Sequence, residues 1–256
     1  MINPLFFIKY YLLAGNEHSI QPPFLFNLYT KVISKFSPDI VEIAQMRNKL
    51  LNDKTTIERY DLGAGSKINS SSASRICDIA MHSLSSSKKS LLHLRLIQYF
   101  NYKVIIELGT SLGINTLYLS KADTTVKVIT LEGSPSIAEI AKLNFKALNA
   151  NNIELVQGNF DNTFLPALNR IEKADYIFFD GNHKCQPTYN YFIQSLNFLH
   201  SDSLLVFDDI HWSTEMENAW DMIKAHPRVT LSVDLLYLGL VFISPNLSKQ
   251  NFILRF

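Results

Sequence analysis

Acidic residues end two of the apolar runs in the C-terminal half of this 256-residue chain. Asp180 closes one run, and Asp208 and Asp209 close the next. If these runs are neighbouring parallel strands, three carboxylates meet at one edge and repel one another unless a cation lies among them. Oxygen ligands without cysteine favour Mg²⁺ or another hard cation. The pattern therefore predicts a metal site at these three residues; the alternative is that Asp180 orients a cofactor and the pair caps the next helix.

Two histidines accompany these acids. His183 lies three residues after Asp180, and His211 lies two residues after Asp209. An imidazole has an ordinary pKa near 6.5, which suits removal of a proton from a hydroxyl at neutral pH. A hydroxyl bound to Mg²⁺ needs less help, because the metal lowers the pKa of its ligand. We predict His183 as the general base and His211 as the second candidate.

The segment ELGTSLG, at 107–113, predicts a ligand-binding loop. It follows one apolar run and precedes a helix-like segment, and its glycines Gly109 and Gly113 permit a tight turn and a close backbone approach. Glu132 ends the next run, 19 residues after Gly113 (132−113). An acid at that place can accept hydrogen bonds from both hydroxyls of a ribose.

The loop fits one class of nucleotide better than others. A dinucleotide fingerprint needs glycines where this chain has Ser111 and Ile114, and no Gly-Lys-Ser/Thr follows to form a phosphate-binding Walker loop. S-adenosylmethionine has no phosphate and needs only the turn, an acid near its amino group and an acid on its ribose. Glu107, Gly109 and Glu132 can supply these. In the alternative interpretation the glycines only turn the chain.

A second glycine segment, DLGAG at 61–65, resembles a cofactor loop more closely but lacks the surroundings of one. The preceding ERY is polar, and Ser and Asn follow in place of a helix. The stretch from Gly63 to Ser74 is rich in Gly and Ser and has no strand pattern. We predict a loop there, one that folds over the site.

A sheet is needed to bring these residues together. From residue 103, short apolar runs alternate with segments of helical length, which is typical of buried parallel strands with right-handed crossovers. The later segments VTLSVDL and YLGLVFIS lie too close together for a helix between them, so a hairpin with one antiparallel terminal strand is expected. The earlier runs are VIIEL (104–108), VKVITLE (126–132), IELVQ (153–157), DYIFFD (175–180) and SLLVFDD (203–209).

The first hundred residues have a different pattern. Residues 39–51 and 88–100 carry apolar side chains at helical spacing, and the apolar run 4–14 is interrupted by Lys9. This run is shorter than the ~20 residues that cross a bilayer and lacks the features of a signal peptide, so we expect an amphipathic helix of a soluble protein. We predict a helical cap or lid over residues 1–100 and a catalytic domain over 101–256.

Composition excludes several classes of protein. The chain has 24 Lys+Arg and 23 Asp+Glu, which argues against an electrostatic nucleic-acid binder. Apolar residues at 47% and charged residues at 18% are globular values. Two cysteines cannot build a disulfide framework, which favours a cytoplasmic location. We expect a small-molecule substrate and neither a nucleic-acid nor a membrane partner.

The segments ELGTSLGINTLYLS, TLEGSP, QGNF, YIFFDGNH and LLVFDDIHW resemble, in this order, the motifs of class I S-adenosylmethionine-dependent methyltransferases. The likeness is greatest to the catechol O-methyltransferase-like branch and its bacterial small-molecule relatives. It implies an α/β, Rossmann-like, doubly wound seven-stranded sheet with its last strand antiparallel. Extensions such as the N-terminal hundred residues often form a lid or a dimer contact in this family.

The resemblance also implies roles for individual residues. Glu107 and Gly109 would lie near the methionine end of the cofactor, Glu132 would bind its ribose, and Asn159 and Phe160 would flank its adenine. The remaining members of the predicted cofactor set are Thr110, Ser111, Gly113, Gly133 and Asp180.

The acid motif departs from the family pattern. Metal-dependent members have Asp at the position of Asp180 and an Asp-Asn pair at that of Asp208-Asp209, where this chain has a second Asp. The catechol enzymes have a lysine as general base at the position of His183. These differences leave Mg²⁺ as an open expectation.

We therefore expect a methyltransferase that acts on a hydroxyl of a small molecule. Two other classes remain: an NAD-dependent Rossmann oxidoreductase, disfavoured by the missing glycines, and a non-catalytic S-adenosylmethionine-binding protein, disfavoured by the presence of both Asp180 and His183. N-methylation also stays open, since an amine acceptor needs a base but no metal. The sequence does not determine the acceptor or the oligomeric state, for which a homodimer is one expectation.

Overall fold

A computed structural model describes residues 4–60 and 71–256 of the chain. These residues form two compact units, one from Ser37–Arg170 and the other from Met1–Phe36 together with Ile171–Phe256. Residues 37–100 thus group with the glycine segment, and the first 36 residues group with the C-terminal part of the chain. The predicted boundary at residue 100 between a cap and a catalytic domain stays a prediction.

Helices and strands alternate along most of the described chain. The helices are α1 (Pro4–Leu13), α2 (Pro23–Leu28), α3 (Val41–Asn52), α4 (Ile76–Ser83), α5 (Ser87–Phe100), α6 (Ile114–Ser120), α7 (Pro135–Ala147), α8 (Phe160–Leu168), α9 (Cys185–Ser195) and α10 (Thr214–Ala225). The strands are β1 (Thr56–Tyr60), β2 (Ser71–Arg75), β3 (Val104–Leu108), β4 (Lys127–Glu132), β5 (Ile153–Gln157), β6 (Ala174–Phe179), β7 (Leu199–Asp208), β8 (Leu231–Asp234), β9 (Leu238–Phe242) and β10 (Gln250–Ile253). Short 3₁₀ turns at Glu17–Ser19 and Leu196–Phe198 and a π turn at Tyr29–Ile33 complete the described elements.

The unit Ser37–Arg170 contains three parallel strands. β4 pairs with β3 on one side and with β5 on the other, with Leu108 opposite Leu131 and Glu132 opposite Gln157. The carboxyl ends of the three strands are therefore level, which places the segments that follow them at one edge. Strands β3 and β5 coincide with the predicted runs; the side chains of β3 are largely buried, and those of β5 are partly exposed.

The same unit also holds a hairpin that the sequence did not predict. β1 and β2 pair antiparallel, with Thr56 opposite Arg75 and Tyr60 opposite Ser71. The prediction of a loop was therefore wrong for residues 71–74, and a polar strand, β1, precedes the DLGAG segment. The rest of the predicted loop, residues 63–70, and DLGAG itself lie outside the described residues.

The other unit contains five strands. β6 and β7 run parallel, β9 pairs antiparallel with both β7 and β8, and β10 pairs parallel with β8. The predicted hairpin is thus confirmed as β8–β9. Among the described residues, the main sheet has one strand more than the expected seven. The additional strand is β10, which was not predicted because it is a short edge strand with two polar residues among its four. Stacked rings of Phe179 and Phe207 pack between the strands, 4.5 Å apart.

Helix α1 differs from its prediction in one respect. Tyr10 and Ala14 are buried against Leu236, so one side of the helix packs on this unit. Its solvent-facing side is nevertheless apolar, with Leu12 81% exposed, so the prediction of an amphipathic helix was wrong. Within the described ranges, no helix has both the length and the apolar character that crossing a bilayer requires.

Parallel strands with helices between them confirm the predicted α/β class. Apart from β1 and β2, which form a hairpin of their own, the strands belong to a central, mostly parallel sheet flanked by helices, which is a Rossmann-like arrangement. In such sheets ligands bind beyond the carboxyl ends of the strands. That rule directs attention to the segments after β3, β4, β6 and β7.

Candidate active site

The glycine loop connects β3 to α6. Gly109 and Gly113 both adopt positive φ, at 103° and 82°, and Ser111 between them adopts 48°. The backbone N–H groups of Gly109 and Thr110 donate to the carbonyl of Leu131 on β4, each at 3.0 Å. The loop is therefore tied to the neighbouring strand and held in a conformation that glycine adopts without strain.

Glu132 fastens this loop from the end of β4. Its Oε2 accepts a hydrogen bond from the Ser111 backbone N–H at 2.8 Å, and its Oε1 accepts one from Ser134 N–H at 2.9 Å. The carboxylate therefore bridges the glycine loop and the start of α7, with Gly133 in the turn between. Its own backbone carbonyl accepts from Gly158 N–H at 2.8 Å, which brings the end of β5 beside it.

The two predicted adenine neighbours follow β5. Asn159 caps α8, and its side-chain oxygen accepts from the Asp161 N–H at 2.9 Å. Phe160 is the first residue of that helix. The structure thus places both at the same edge as Glu132, as predicted, and their contact with adenine stays a prediction.

Glu107 has no exposure to solvent and lies in a cluster of polar side chains. Its carboxylate accepts from Asn115 Nδ2 at 2.8 Å, from Thr130 Oγ1 at 2.7 Å and from the Thr116 hydroxyl. Thr110 joins the cluster through a 2.6 Å contact between its hydroxyl and that of Thr130. Burial raises the pKa of Glu107 to about 7, although the three donors act in the opposite direction.

In this arrangement Glu107 would act on the cofactor indirectly, through the helix that it holds in place. Asn115 and Thr116 belong to the first turn of α6, so the buried carboxylate holds the helix that follows the glycine loop. The predicted contact of Glu107 with the methionine end of the cofactor stays a prediction. Sequence reasoning missed Asn115, Thr116 and Thr130; a threonine among the apolar residues in the middle of β4 was the available signal.

The raised pKa of Glu107 predicts a loss of stability as the pH rises. The folded protein holds a proton on this group between its ordinary pKa of 4.5 and about 7, where the unfolded chain has released it. A shift of this size corresponds to on the order of 3 kcal/mol, present below pH 4.5 and lost as the pH rises through 7. The free energy of unfolding, measured in urea at pH 5 and at pH 8, should fall less between these two pH values in Glu107→Gln than in the wild type.

A surface acid provides the control for that measurement. Glu139 on α7 is well exposed and pairs with Lys142, so Glu139→Gln should follow the wild-type pH profile. Equal losses in the Glu107→Gln variant and the wild type would contradict a protonated, buried Glu107.

Gly113 carries the steric requirement of the loop. An added Cβ would lie 2.5 Å from Cε1 of Phe145, and the φ of 82° strains any other residue. We expect Gly113→Ala to lower the free energy of unfolding by about 2–4 kcal/mol. Gly133→Ala is the control, because Gly133 is not among the glycines with positive φ. Similar unfolding midpoints for both variants would contradict the steric argument.

Asp180 and His183 lie together after β6. The Nε2 of His183 is 3.7 Å from Oδ1 of Asp180, and both side chains are partly exposed. Between them the chain turns sharply at Asn182, which has a φ of 53°. The structure therefore brings the predicted base beside its acid, at the carboxyl end of a strand and within reach of solvent.

The carboxylates after β7 are arranged differently from the prediction of a three-acid site. Asp208 is buried and opposite Leu238, and Asp209 turns the chain with a φ of 53°. Residues 4–60 and 71–256 contain no group of three or more His, Cys, Asp or Glu side chains placed to hold a metal ion. The side chains as positioned do not form the predicted magnesium site, and metal dependence stays a prediction.

His211 pairs with an acid that the sequence did not single out. Its Nε2 lies 2.7 Å from Oδ2 of Asp234, at the end of β8, and its Nδ1 lies 3.7 Å from Glu217. Asp234 in turn accepts from the Leu236 N–H at 2.8 Å. The Asp234 carboxylate fixes the orientation of this largely buried imidazole, which favours His183 as the accessible base.

The segment before β3 also contacts the glycine loop. The hydroxyl of Ser83, at the end of α4, lies 2.7 Å from that of Ser111. The hydroxyl of Ser136, in the first turn of α7, donates to the backbone carbonyl of Glu58 on β1. Part of the predicted cap therefore touches the elements that Glu132 joins.

Known proteins resemble this chain in sequence and in fold. Residues 106–210 match the family described as Methyltransferase domain. No curated protein matches the sequence. Because the solved structures below are at most 20% identical to this chain, their likeness concerns the fold.

Three solved structures illustrate that likeness. The SAH-bound methyltransferase PaMTH1 of Podospora anserina has a TM-score of 0.63 at 16% identity, over 88% of this chain and 99% of its own. The O-methyltransferase from Bacillus cereus in complex with SAH has 0.56 at 20%, over 83% and 94%. The O-methyltransferase TomG of Streptomyces achromogenes, involved in tomaymycin synthesis and in complex with SAM, has 0.55 at 20%, over 63% and 82%.

The family match spans the glycine loop, Glu132 and the acids after β6 and β7, which are the segments that carried the sequence resemblance. The fold around them agrees with that of solved methyltransferases. Residues 106–210 therefore resemble a methyltransferase domain in sequence, and the predicted resemblance to class I S-adenosylmethionine-dependent methyltransferases is confirmed.

Proposed function

We propose that this protein transfers a methyl group from S-adenosylmethionine to a hydroxyl of a small molecule. The observation that carries the proposal is the Glu132 carboxylate, which bridges the glycine loop and the start of α7 inside the matched domain. The neighbours named as O-methyltransferases favour a hydroxyl acceptor over an amine. Cytoplasmic location is part of the same proposal.

The cofactor is proposed to lie along the edge formed by the ends of β3, β4 and β5. A carboxylate has about four acceptor positions, and Glu132 gives two of them to backbone amides, so ribose hydroxyls would meet an oriented group. Gly109, at a φ of 103°, permits close approach of the backbone. The loop has Ser111 and Ile114 where a pyrophosphate-binding fingerprint has glycines, which agrees with a nucleoside that carries no phosphate.

The acceptor is proposed to meet His183. S-adenosylmethionine supplies an electrophilic methyl group: the bond from methyl to sulfur breaks as the bond from methyl to the acceptor oxygen forms. His183 takes the proton of the hydroxyl, and Asp180, 3.7 Å away, stabilises the imidazolium that results. Alignment of the oxygen and the methyl group, ~3 Å apart, is the main contribution of the protein.

Metal dependence is tested separately from the base. No step in this account passes through a metal ion, since the described acids do not form a cage. Full turnover in EDTA would leave His183 as the activating group. Loss of turnover in EDTA with return on addition of Mg²⁺ would show that Asp180, Asp208 and Asp209 rearrange around a cation.

Methyl transfer to a panel of acceptors tests the proposed function. The purified chain is supplied with methyl-labelled S-adenosylmethionine and with phenols, aliphatic alcohols or primary amines. Label in hydroxyl acceptors supports the proposal, whereas label in amines alone would replace O-methylation with N-methylation. Cofactor binding without transfer to any acceptor in the panel would favour a non-catalytic binding protein.

A further inference from the structure

Helix α1 carries a cluster of large apolar side chains that face solvent. Phe7, Ile8, Tyr11, Leu12 and Leu13 are 44, 56, 55, 81 and 57% exposed, and we name these five residues the α1 patch. Phe7 and Tyr11 stack with ring centroids 6.0 Å apart. Residues four apart lie on one helix face, so Phe7–Tyr11 and Ile8–Leu12 form adjacent rows of one continuous surface.

The opposite side of α1 fixes the patch in its outward orientation. Tyr10 and Ala14 are buried against Leu236, with Ile253 packed beside them. The Tyr10 hydroxyl donates to the backbone carbonyl of Leu254. The Gly15 N–H donates to the carbonyl of Ile253 at 2.9 Å. The helix cannot turn its apolar rows inward without breaking these contacts.

Positive charge lies beside the patch. The guanidinium of Arg255 lies over the ring of Tyr11, 5.1 Å from its centroid. The first 36 residues contain three lysines and a single acidic residue, Glu17. An exposed apolar helix face with aromatic rings and one adjacent cation is complementary to the acyl chains and the phosphates of an anionic bilayer.

We infer that the α1 patch docks this protein on the surface of membranes that contain anionic phospholipids. The contact is peripheral and does not span the bilayer, and it revises the expectation that the protein has no membrane partner. Apolar side chains enter the boundary between headgroups and acyl chains, while Arg255 meets lipid phosphates.

A second copy of the chain fits the patch less well. Five side chains of this size, about half exposed, offer roughly 500 Å² of surface, against about 800 Å² per partner in a standard interface. A twofold pairing of the patch with itself would also bring the Arg255 guanidinium of each copy to the same contact, where like charges repel. A bilayer sets no minimum area and supplies the opposite charge.

Flotation of the full chain with vesicles tests the inference. We expect binding to vesicles of phosphatidylcholine and phosphatidylglycerol at 3:1, and weaker binding to phosphatidylcholine alone. Leu12→Glu should reduce binding to the mixed vesicles at least tenfold, since it puts a charge in the most exposed position of the patch. Arg255→Glu should reduce the preference for anionic vesicles.

The matched control is Leu143→Glu, which changes a 65% exposed leucine on α7. It should bind vesicles as the wild type does, and Leu12→Glu and Leu143→Glu should both keep the wild-type unfolding temperature and affinity for S-adenosylmethionine. No binding of the wild type to mixed vesicles, or equal losses for Leu12→Glu and Leu143→Glu, would overturn the inference. A wild-type dimer that Leu12→Glu converts to a monomer, without vesicle binding, would assign the patch to a second copy instead.

Discussion

Replacement of His183 by alanine is expected to lower kcat by about 10²–10⁴ while the affinity for S-adenosylmethionine stays unchanged. The side chain lies at the carboxyl end of β6, 3.7 Å from Asp180 and partly open to solvent. Only a neutral imidazole can accept a proton, so a pH-dependent rate that is present in the wild type and absent from the variant is the signature of such a base. Steady-state rates against pH, at saturating cofactor, provide the measurement.

The chain offers a matched histidine as control. His200 also pairs with an aspartate, its Nε2 lying 2.8 Å from Oδ1 of Asp175, but this pair lies near the amino ends of β6 and β7. His200→Ala should therefore leave kcat close to that of the wild type. Wild-type turnover by His183→Ala would remove His183 from the mechanism. His211→Ala, which breaks the contact with Asp234, would then be the next variant to measure.

Replacement of Glu132 by alanine is expected to weaken S-adenosylmethionine binding by about 1–3 kcal/mol, or roughly 5- to 150-fold. Two effects act together: the ribose hydroxyls lose their acceptor, and the N–H groups of Ser111 and Ser134 lose the carboxylate that holds the loop. Titration calorimetry gives the change directly. Glu132→Gln should lose less, because its amide oxygen can keep one of the two backbone contacts.

Two further variants test whether the loss of affinity in Glu132→Ala is specific to the proposed cofactor site. Glu139→Ala removes an exposed acid from the neighbouring α7 and should leave the affinity unchanged. Gly109→Val should abolish binding, because a branched side chain cannot adopt a φ of 103° without strain and would block the backbone approach. Wild-type affinity in Glu132→Ala would contradict the assignment of this residue to the ribose.

Local sequence predicted the apolar strands better than the polar ones. β3 and β5 coincide with their predicted runs, because apolar side chains dominate both, although only those of β3 are largely buried. β1, β2 and β10 were missed, since their residues are largely polar and their order comes from backbone pairing with a neighbour. β7 begins at Leu199, whereas its predicted run begins at 203. The pairing of β7 with β6 shifts register near this end of the strand.

The candidate site was predicted in part for the same reason. Residues that follow strands, such as Gly109, Glu132 and Asp180, can be identified from spacing because parallel strands end at one edge. The contact of His211 with Asp234 joins residues 23 positions apart through the pairing of β7, β9 and β8. No local pattern encodes that pairing, and none reveals that Glu107 is enclosed by three donors.

Titration of S-adenosylmethionine into the wild-type chain tests the central claim most directly. The glycine loop, fastened by Glu132 and built without the glycines of a dinucleotide fingerprint, predicts one molecule of S-adenosylmethionine bound per chain. The demethylated product, S-adenosylhomocysteine, should compete for the same site, and NAD should show no heat of binding. Binding of NAD, with no heat from S-adenosylmethionine, would contradict the account.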